Sequence, residues 1–253
     1  MSILDEYDPK GKPLFSPENL YGKREKIADV CIVTFHRKVT EKVLAAYAPT
    51  KVAAAFTANG EIPIYRFSSE GKNLLFYMSP IGAPAAGAIL TEVSALTGAR
   101  HFIVFGSCGV LEPERARGKI LVPTSSYRDE GLSYHYAPPA DAISMKNSGT
   151  VERYFAEKQV PYLAGRNWTT DAIYRETEKN VARHRTEGCI SVEMEAAGLE
   201  AVANAVGLEL YTFFFGGDIL GVTWETGDLG GEKEKKKQQD LFDLALGLAK
   251  TLF

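Results

Sequence analysis

The sequence predicts one α/β domain over residues 27–253, preceded by an arm over residues 1–26, and three observations carry that prediction. Short apolar runs alternate with stretches whose apolar residues recur at helical spacing, the pattern of strands layered with helices. A chain of 253 residues can bury one substantial core without a linker to divide it. There is neither an internal repeat nor a low-complexity tract.

Residues 1–26 hold Pro9, Pro13 and Pro17 among glycines and charges, which predicts an extended arm that either wanders or lies on a partner subunit. Apolar runs at 29–35, 52–56, 74–78, 101–105, 120–122, 162–165 and 210–215 predict strands. Helical spacing predicts helices at 83–97, 140–158, 176–185, 195–206 and 234–252. The run Glu-Lys-Glu-Lys-Lys-Lys at 232–237 reads as a solvated face at the head of the last helix. Between 216 and 231, Gly216, Gly217, Gly221, Gly227, Gly230 and Gly231 predict a flexible loop after a buried strand, a common place for function.

Composition excludes several classes. Lys and Arg number 29 against 32 Asp and Glu, a net charge of −3, so the basic surplus that nucleic-acid binding requires is missing. The polar first residues, with Asp5, Glu6 and Asp8, do not form a signal peptide. No uncharged apolar stretch nears the roughly 18 residues of a membrane span. Cys31, Cys108 and Cys189 are odd in number and set among apolar residues, which predicts reduced thiols in a cytoplasmic protein. His36, His101, His135 and His184 are scattered without metal-ligand spacing, so no metal site is expected.

Three segments carry chemistry. Glu193 and Glu195 flank Met194 between a short apolar strand and a small-residue helix. A buried carboxylate without partners costs on the order of several kcal/mol, which points to a ligand rich in hydroxyls, a sugar above all. The other reading is a pair of acids placed to meet a helix dipole. Gly106-Ser107-Cys108-Gly109 follows the apolar run 102–105 and reads as a tight glycine turn with an exposed hydroxyl. Its N–H groups and Ser107 would cradle an anion, or the glycines serve only close packing. The third glycine and helix start of a dinucleotide fingerprint are missing, and so are the flanking glycines of a serine nucleophile elbow. Asp218 follows the run 211–215 through two glycines, which puts a carboxyl at a strand end: a candidate proton donor, or an ordinary turn aspartate.

With these segments in place, the chain resembles the nucleoside phosphorylase family of uridine phosphorylases, hexameric bacterial purine nucleoside phosphorylases and related nucleosidases, over about residues 27–252. The resemblance rests on Val192-Glu193-Met194-Glu195-Ala196-Ala197, on Gly106-Ser107-Cys108-Gly109 and on Trp168-Thr169-Thr170-Asp171-Ala172-Ile173-Tyr174, in the family's order and spacing. Arg128 to Pro138 is similar to the uridine enzymes, whereas Gly217-Asp218 is similar to the purine enzymes.

The resemblance implies a three-layer fold with a central mixed twisted sheet flanked by helices. It also implies cleavage of a nucleoside N-glycosidic bond by inorganic phosphate, without metal or organic cofactor, in a homo-oligomer built from dimers. Glu193, Met194 and Glu195 would hold the ribose. Gly106, Ser107, Thr34, Arg37 and Arg128 would meet the phosphate. Asp171, Ile173, Tyr174 and Lys236 would meet the base, Ile173 standing where the family has a stacking phenylalanine, and Asp218 would protonate it.

The chain also departs from the family. Residues 33–38 lack the glycine of the family's phosphate loop, and Val104 stands where an arginine is expected. Thr177 and Lys179 stand where uridine phosphorylases carry glutamine and arginine for uracil, and Asn19 falls near the neighbouring subunit's histidine. Purine and pyrimidine therefore both stay open. So do a nucleosidase using water and a nucleoside-binding protein with little turnover.

Overall fold

The computed structural model describes residues 2–221, 223–226 and 232–252, with backbone alone at 232–239. Strands β1 (Val30–Thr34), β2 (Thr50–Thr57), β3 (Gly60–Ser69), β4 (Lys72–Met78), β5 (His101–Val110), β6 (Ile120–Asp129), β7 (Ala142–Ser144), β8 (Tyr162–Thr170), β9 (Cys189–Glu193), β10 (Glu209–Leu220) and β11 (Trp224–Glu225) form one mixed sheet. Pairing runs from β2 through β3, β4, β1, β5, β9, β8, β6 and β10 to β11. Because β10 also pairs in parallel with β5, the strands β5, β9, β8, β6 and β10 close into a ring. The expected mixed sheet is thus present, with part of it curled onto itself.

The helices are α1 (Pro17–Tyr21), α2 (Arg37–Tyr47), α3 (Ala83–Thr97), α4 (Pro113–Ala116), α5 (Ser133–Tyr136), α6 (Ser148–Glu157), α7 (Glu178–Thr186), α8 (Ala196–Val206) and α9 (Glu232–Lys250). Alternation along the strands decides which helix lies on which face. Val30 and Ile32 of β1 join a cluster with Val39 and Val43 of α2 and Leu241, Phe242 and Ala245 of α9. Cys31 and Val33 point the other way, into a cluster with Ile89, Leu90 and Val93 of α3 and Leu199 and Val202 of α8. A strand apolar at every position is one covered on both faces.

Several expected boundaries move, each for a physical reason. The segment 106–109 is not a turn: it continues β5, hydrogen-bonded to β10 on one side and β9 on the other. The predicted loop at 216–231 begins later, because β10 runs on through Gly216 and Gly217 to Leu220; residues 222 and 227–231 lie outside the described residues. The helix expected at 140–158 starts only at Ser148, since Ala142–Ser144 pairs with β6 as β7. Residues 33–38, which stand in the place of the family's phosphate loop, hold the end of the expected strand, β1, and the start of α2. β3 escaped the sequence reading because Pro63 interrupts its apolar alternation.

The arm contains a 3-10 turn at Ile3–Asp5 and the short α1. Its end is fixed on this chain, where the Tyr21 hydroxyl donates to Glu92 of α3 at 2.5 Å and accepts from the Phe56 N–H at 3.1 Å. The three cysteines are free and buried. Among the described residues no helix is long and apolar enough to cross a membrane.

Candidate active site

Gly109 is paired with Val192 of β9 on one side and with Asp218 of β10 on the other. The end of β5 that carries Ser107 is therefore flanked by the acidic segment 193–195 and by Asp218, so these predicted residues are brought together. A bulge between Gly216 and Asp218 re-aims β10 at this point. Gly109 has to be glycine: a Cβ there would come within 2.4 Å of Leu220 Cδ1 and 2.9 Å of Val192 Cγ1, with Asp218 Oδ1 3.6 Å away.

The two carboxylates beside Met194 differ sharply. Glu193 accepts hydrogen bonds from Asn167 Nδ2 (2.7 Å), Thr169 Oγ1 (2.5 Å) and the N–H groups of Glu195 (2.7 Å) and Ala196 (2.8 Å). Asn167 and Thr169 are in turn tied to Ser126, and Ser191 donates to Asn167 at 2.7 Å. Glu195 is held by the Gly82 N–H at 2.6 Å, which the positive φ of Gly82 (95°) aims at it. Met194 is half-buried and its carbonyl accepts from the Ala83 N–H at 2.9 Å, which docks the start of α3 on this segment.

Burial pushes both acids up. On Glu193 four donors oppose that rise; Glu195, buried beside the Glu193 charge with fewer donors, is pushed up to about 8. Of the two, Glu195 has the fewer donors to stabilise its ionised form.

Toward the expected phosphate end the groups are less engaged. Ser107 is exposed, and buried Gly106 lets Phe35 approach, since a Cβ there would meet Phe35 Cδ2 at 3.2 Å. Thr34 is buried, its hydroxyl accepting from the His36 N–H at 3.3 Å. Arg37 lies on the α2 surface and pairs with Glu41 at 2.7 Å. Arg128 is buried and committed: it donates to Ser133 Oγ (2.7 Å), the Pro138 carbonyl (2.6 Å) and the Ala137 carbonyl (3.4 Å), with its guanidinium over the Tyr134 ring. Val104 is buried in the α3–α8 cluster, so an arginine at that position would carry its charge into the core.

At the expected base end, Asp218 Oδ2 accepts from Trp224 Nε1 at 2.8 Å. Ile173 and Tyr174 stand in solvent, Tyr174 almost wholly. Asp171 accepts from the Gly131 N–H at 2.9 Å. The side chain of Lys236 lies outside the described residues. Sequence reasoning missed Glu176, half-buried, which burial and the nearby Asp218 carboxylate raise to about 7. It also missed Asn167, Thr169, Ser126 and Gly82; polar residues persisting in strands past their apolar runs were the available signal. Among the described residues no group of three or more His, Cys, Asp or Glu is placed to hold a metal ion.

Residues 29–247 match the phosphorylase superfamily. The guanosine phosphorylase of Halorubrum lacusprofundi is 30% identical over 157 residues, covering 59% of this chain and 63% of that one. A DeoD-type purine nucleoside phosphorylase of Caldanaerobacter subterraneus subsp. tengcongensis is 26% identical over 186 residues, 71% of this chain and 78% of that one. The uridine phosphorylase of Escherichia coli is 28% identical over 199 residues, 72% of this chain and 76% of that one.

Proposed function

The chain belongs to the phosphorylase superfamily, and on that premise we propose that it is a nucleoside phosphorylase, a cytoplasmic, homo-oligomeric pentosyltransferase. In the proposed reaction inorganic phosphate attacks the anomeric carbon of a nucleoside, the N-glycosidic bond breaks, and free base and pentose 1-phosphate leave. The observation that carries the reading is the pairing of Gly109 between Val192 and Asp218, which gathers Ser107, Met194, Glu195 and Asp218 around one strand end.

As the bond breaks, positive charge grows on the sugar ring and negative charge on the base. Glu195 takes the ribose hydroxyls as donors and fixes the ring, with Met194 against the sugar. Glu193 acts behind it: saturated by four protein donors, it sets the backbone of Glu195 and Ala196. Ser107, Gly106 and Thr34 line the proposed phosphate end. Asp218 delivers a proton to the departing base, and no cofactor enters. Positioning, charge stabilisation and proton transfer each contribute about 10²-fold or more.

Hydrolysis by water is the second reading, favoured by buried Val104 and by the engagement of Arg37 and Arg128 elsewhere. A panel of nucleosides incubated with and without phosphate, with free base and pentose 1-phosphate measured, separates the two. Base release indifferent to phosphate would sink phosphorolysis; tight binding without any release would leave a nucleoside-binding protein.

A further inference from the structure

The C-terminal half of α7 closes onto the sheet around His184, which is wholly buried. Its ring stacks on Trp168 of β8, centroids 4.2 Å apart at 29°, and stands edge-on to Tyr127 of β6 at 4.6 Å. Val181, earlier on the same helix, packs into the cluster of Trp168, Cys189 and Val192. Arg183 Nη2 lies 3.0 Å from Nε2 of the ring, and the same guanidinium sits 5.7 Å from the Tyr127 centroid. The other ring nitrogen, Nδ1, makes no hydrogen bond among the described residues, and Glu187 Oε2 is 3.3 Å from it.

The Arg183 contact fixes the protonation of the ring. A guanidinium only donates, so Nε2 presents a lone pair and the single ring proton sits on Nδ1, toward Glu187. Three further charges surround the ring. Asp129 of β6 takes Trp168 Nε1 at 3.0 Å and Thr170 Oγ1 at 3.2 Å; Arg166 of β8 is 5.6 Å from the Tyr127 centroid; Arg185 of α7 is drawn off to Glu112 at 3.8 Å. On β9, burial pushes the Cys189 thiol up to about 11, so it stays neutral. Burial and Arg183 hold the imidazole below its ordinary 6.5, against the opposing pull of Glu187 and Asp129.

We infer that His184 is an acid-sensitive clasp: neutral, it takes Arg183 and closes the end of α7 on Tyr127 and Trp168; protonated, it expels Arg183 and frees that end of the helix. A second ring proton would stand against a guanidinium only 3.0 Å away, so the two cations separate. Arg183 is able to leave because about half of its side chain is exposed, and Glu187 passes from the arginine, at 4.0 Å, to the imidazolium. The strand beneath the clasp also supports the acidic pair of the candidate site. Asn167 and Thr169, on either side of Trp168, both donate to Glu193. The helix that acid loosens therefore lies against that support.

The test reads two exchange rates in the full chain by mass spectrometry: that of the His184 ring C–H, whose pH profile gives the titration midpoint, and that of the backbone amides, corrected for intrinsic rates. The ring is expected to titrate below 6.5, and amides 181–188 to exchange about 10-fold or more faster near pH 5 than near pH 7.5. His184→Gln, whose amide oxygen accepts from Arg183 without titrating, should flatten the amide response. Arg183→Met, at an exposed position, should raise the midpoint of the ring, and it decides the matter alone if His184→Gln does not fold. Stability carries the same sign. With the folded value below the unfolded one, the His184 contribution is full above about 6.5 and is lost as pH falls through the folded value. The denaturation midpoint of the parent should therefore drop on acidification more than that of His184→Gln. A ring titrating at or above 6.5, a midpoint unmoved by Arg183→Met, or equal amide exchange at the two pH values would overturn the clasp.

Discussion

The proposed sugar end and the proposed phosphate end of the site are built on opposite plans. Around Glu193 every oxygen is answered by protein donors, and Glu195 is buried beside it with fewer, the Gly82 amide at 2.6 Å among them. Around Ser107 the hydroxyl is exposed, and the cations assigned to it, Arg37 and Arg128, are occupied by Glu41 and by backbone carbonyls. The sugar end is rigid before any ligand arrives. On the proposed reading, selectivity for the sugar is preorganised, whereas the phosphate end leans on neutral groups.

The largest expected effect comes from breaking the rigid end. Glu195→Ala should lower kcat/KM by about 10³-fold with the fold intact, measured against a full panel of nucleosides. Glu193→Ala strikes the support instead: it strands the donors of Asn167 and Thr169 and two amides, costing about 3–5 kcal/mol and lowering the thermal midpoint by roughly 10 °C. A midpoint unchanged in Glu193→Ala would erase the contrast between the two ends.

At the phosphate end the effects should shrink. Ser107→Ala is expected to raise the KM for phosphate by about 5- to 10-fold, leaving the nucleoside KM in place. Arg37→Ala should change it by less than about twofold, because the guanidinium pairs with Glu41 on the helix surface. A large loss in Arg37→Ala would make the two ends alike.

Proton linkage sharpens the same contrast. Glu195 titrates at about 8 in the fold against an ordinary value of 4.5, so the folded chain retains a proton that the unfolded chain releases between those values. Its contribution makes stability fall as pH rises from about 4.5 to about 8, and level beyond. Sugar hydroxyls donating to the ionised form reverse the preference. Nucleoside binding at pH 7 should therefore release a proton, read from calorimetry in buffers of different ionisation enthalpy, and affinity should weaken on acidification below about 8. Glu195→Gln should abolish both.

What could be read from the sequence was local. Glu193, Met194, Glu195, Ser107 and Asp218 stand at the ends of apolar runs, and the pairing of β5, β9 and β10 joins those ends. What could not be read was who faces whom. Arg37 and Arg128 looked like free charges because Glu41 and the Pro138 carbonyl are partners only in the fold. The network of Ser126, Asn167 and Thr169 consists of long-range hydrogen bonds with no periodic signature. The ring of strands was equally hidden, since local alternation is the same in an open and a closed sheet.

That ring imposes an order of events on the newborn chain. β10 arrives late in synthesis yet completes the circle begun by β5, and it carries Asp218 with it. Until it docks, β5 and β6 each lack a neighbour and no nucleoside pocket exists, so a nascent chain stalled before residue 209 should be inert toward nucleosides.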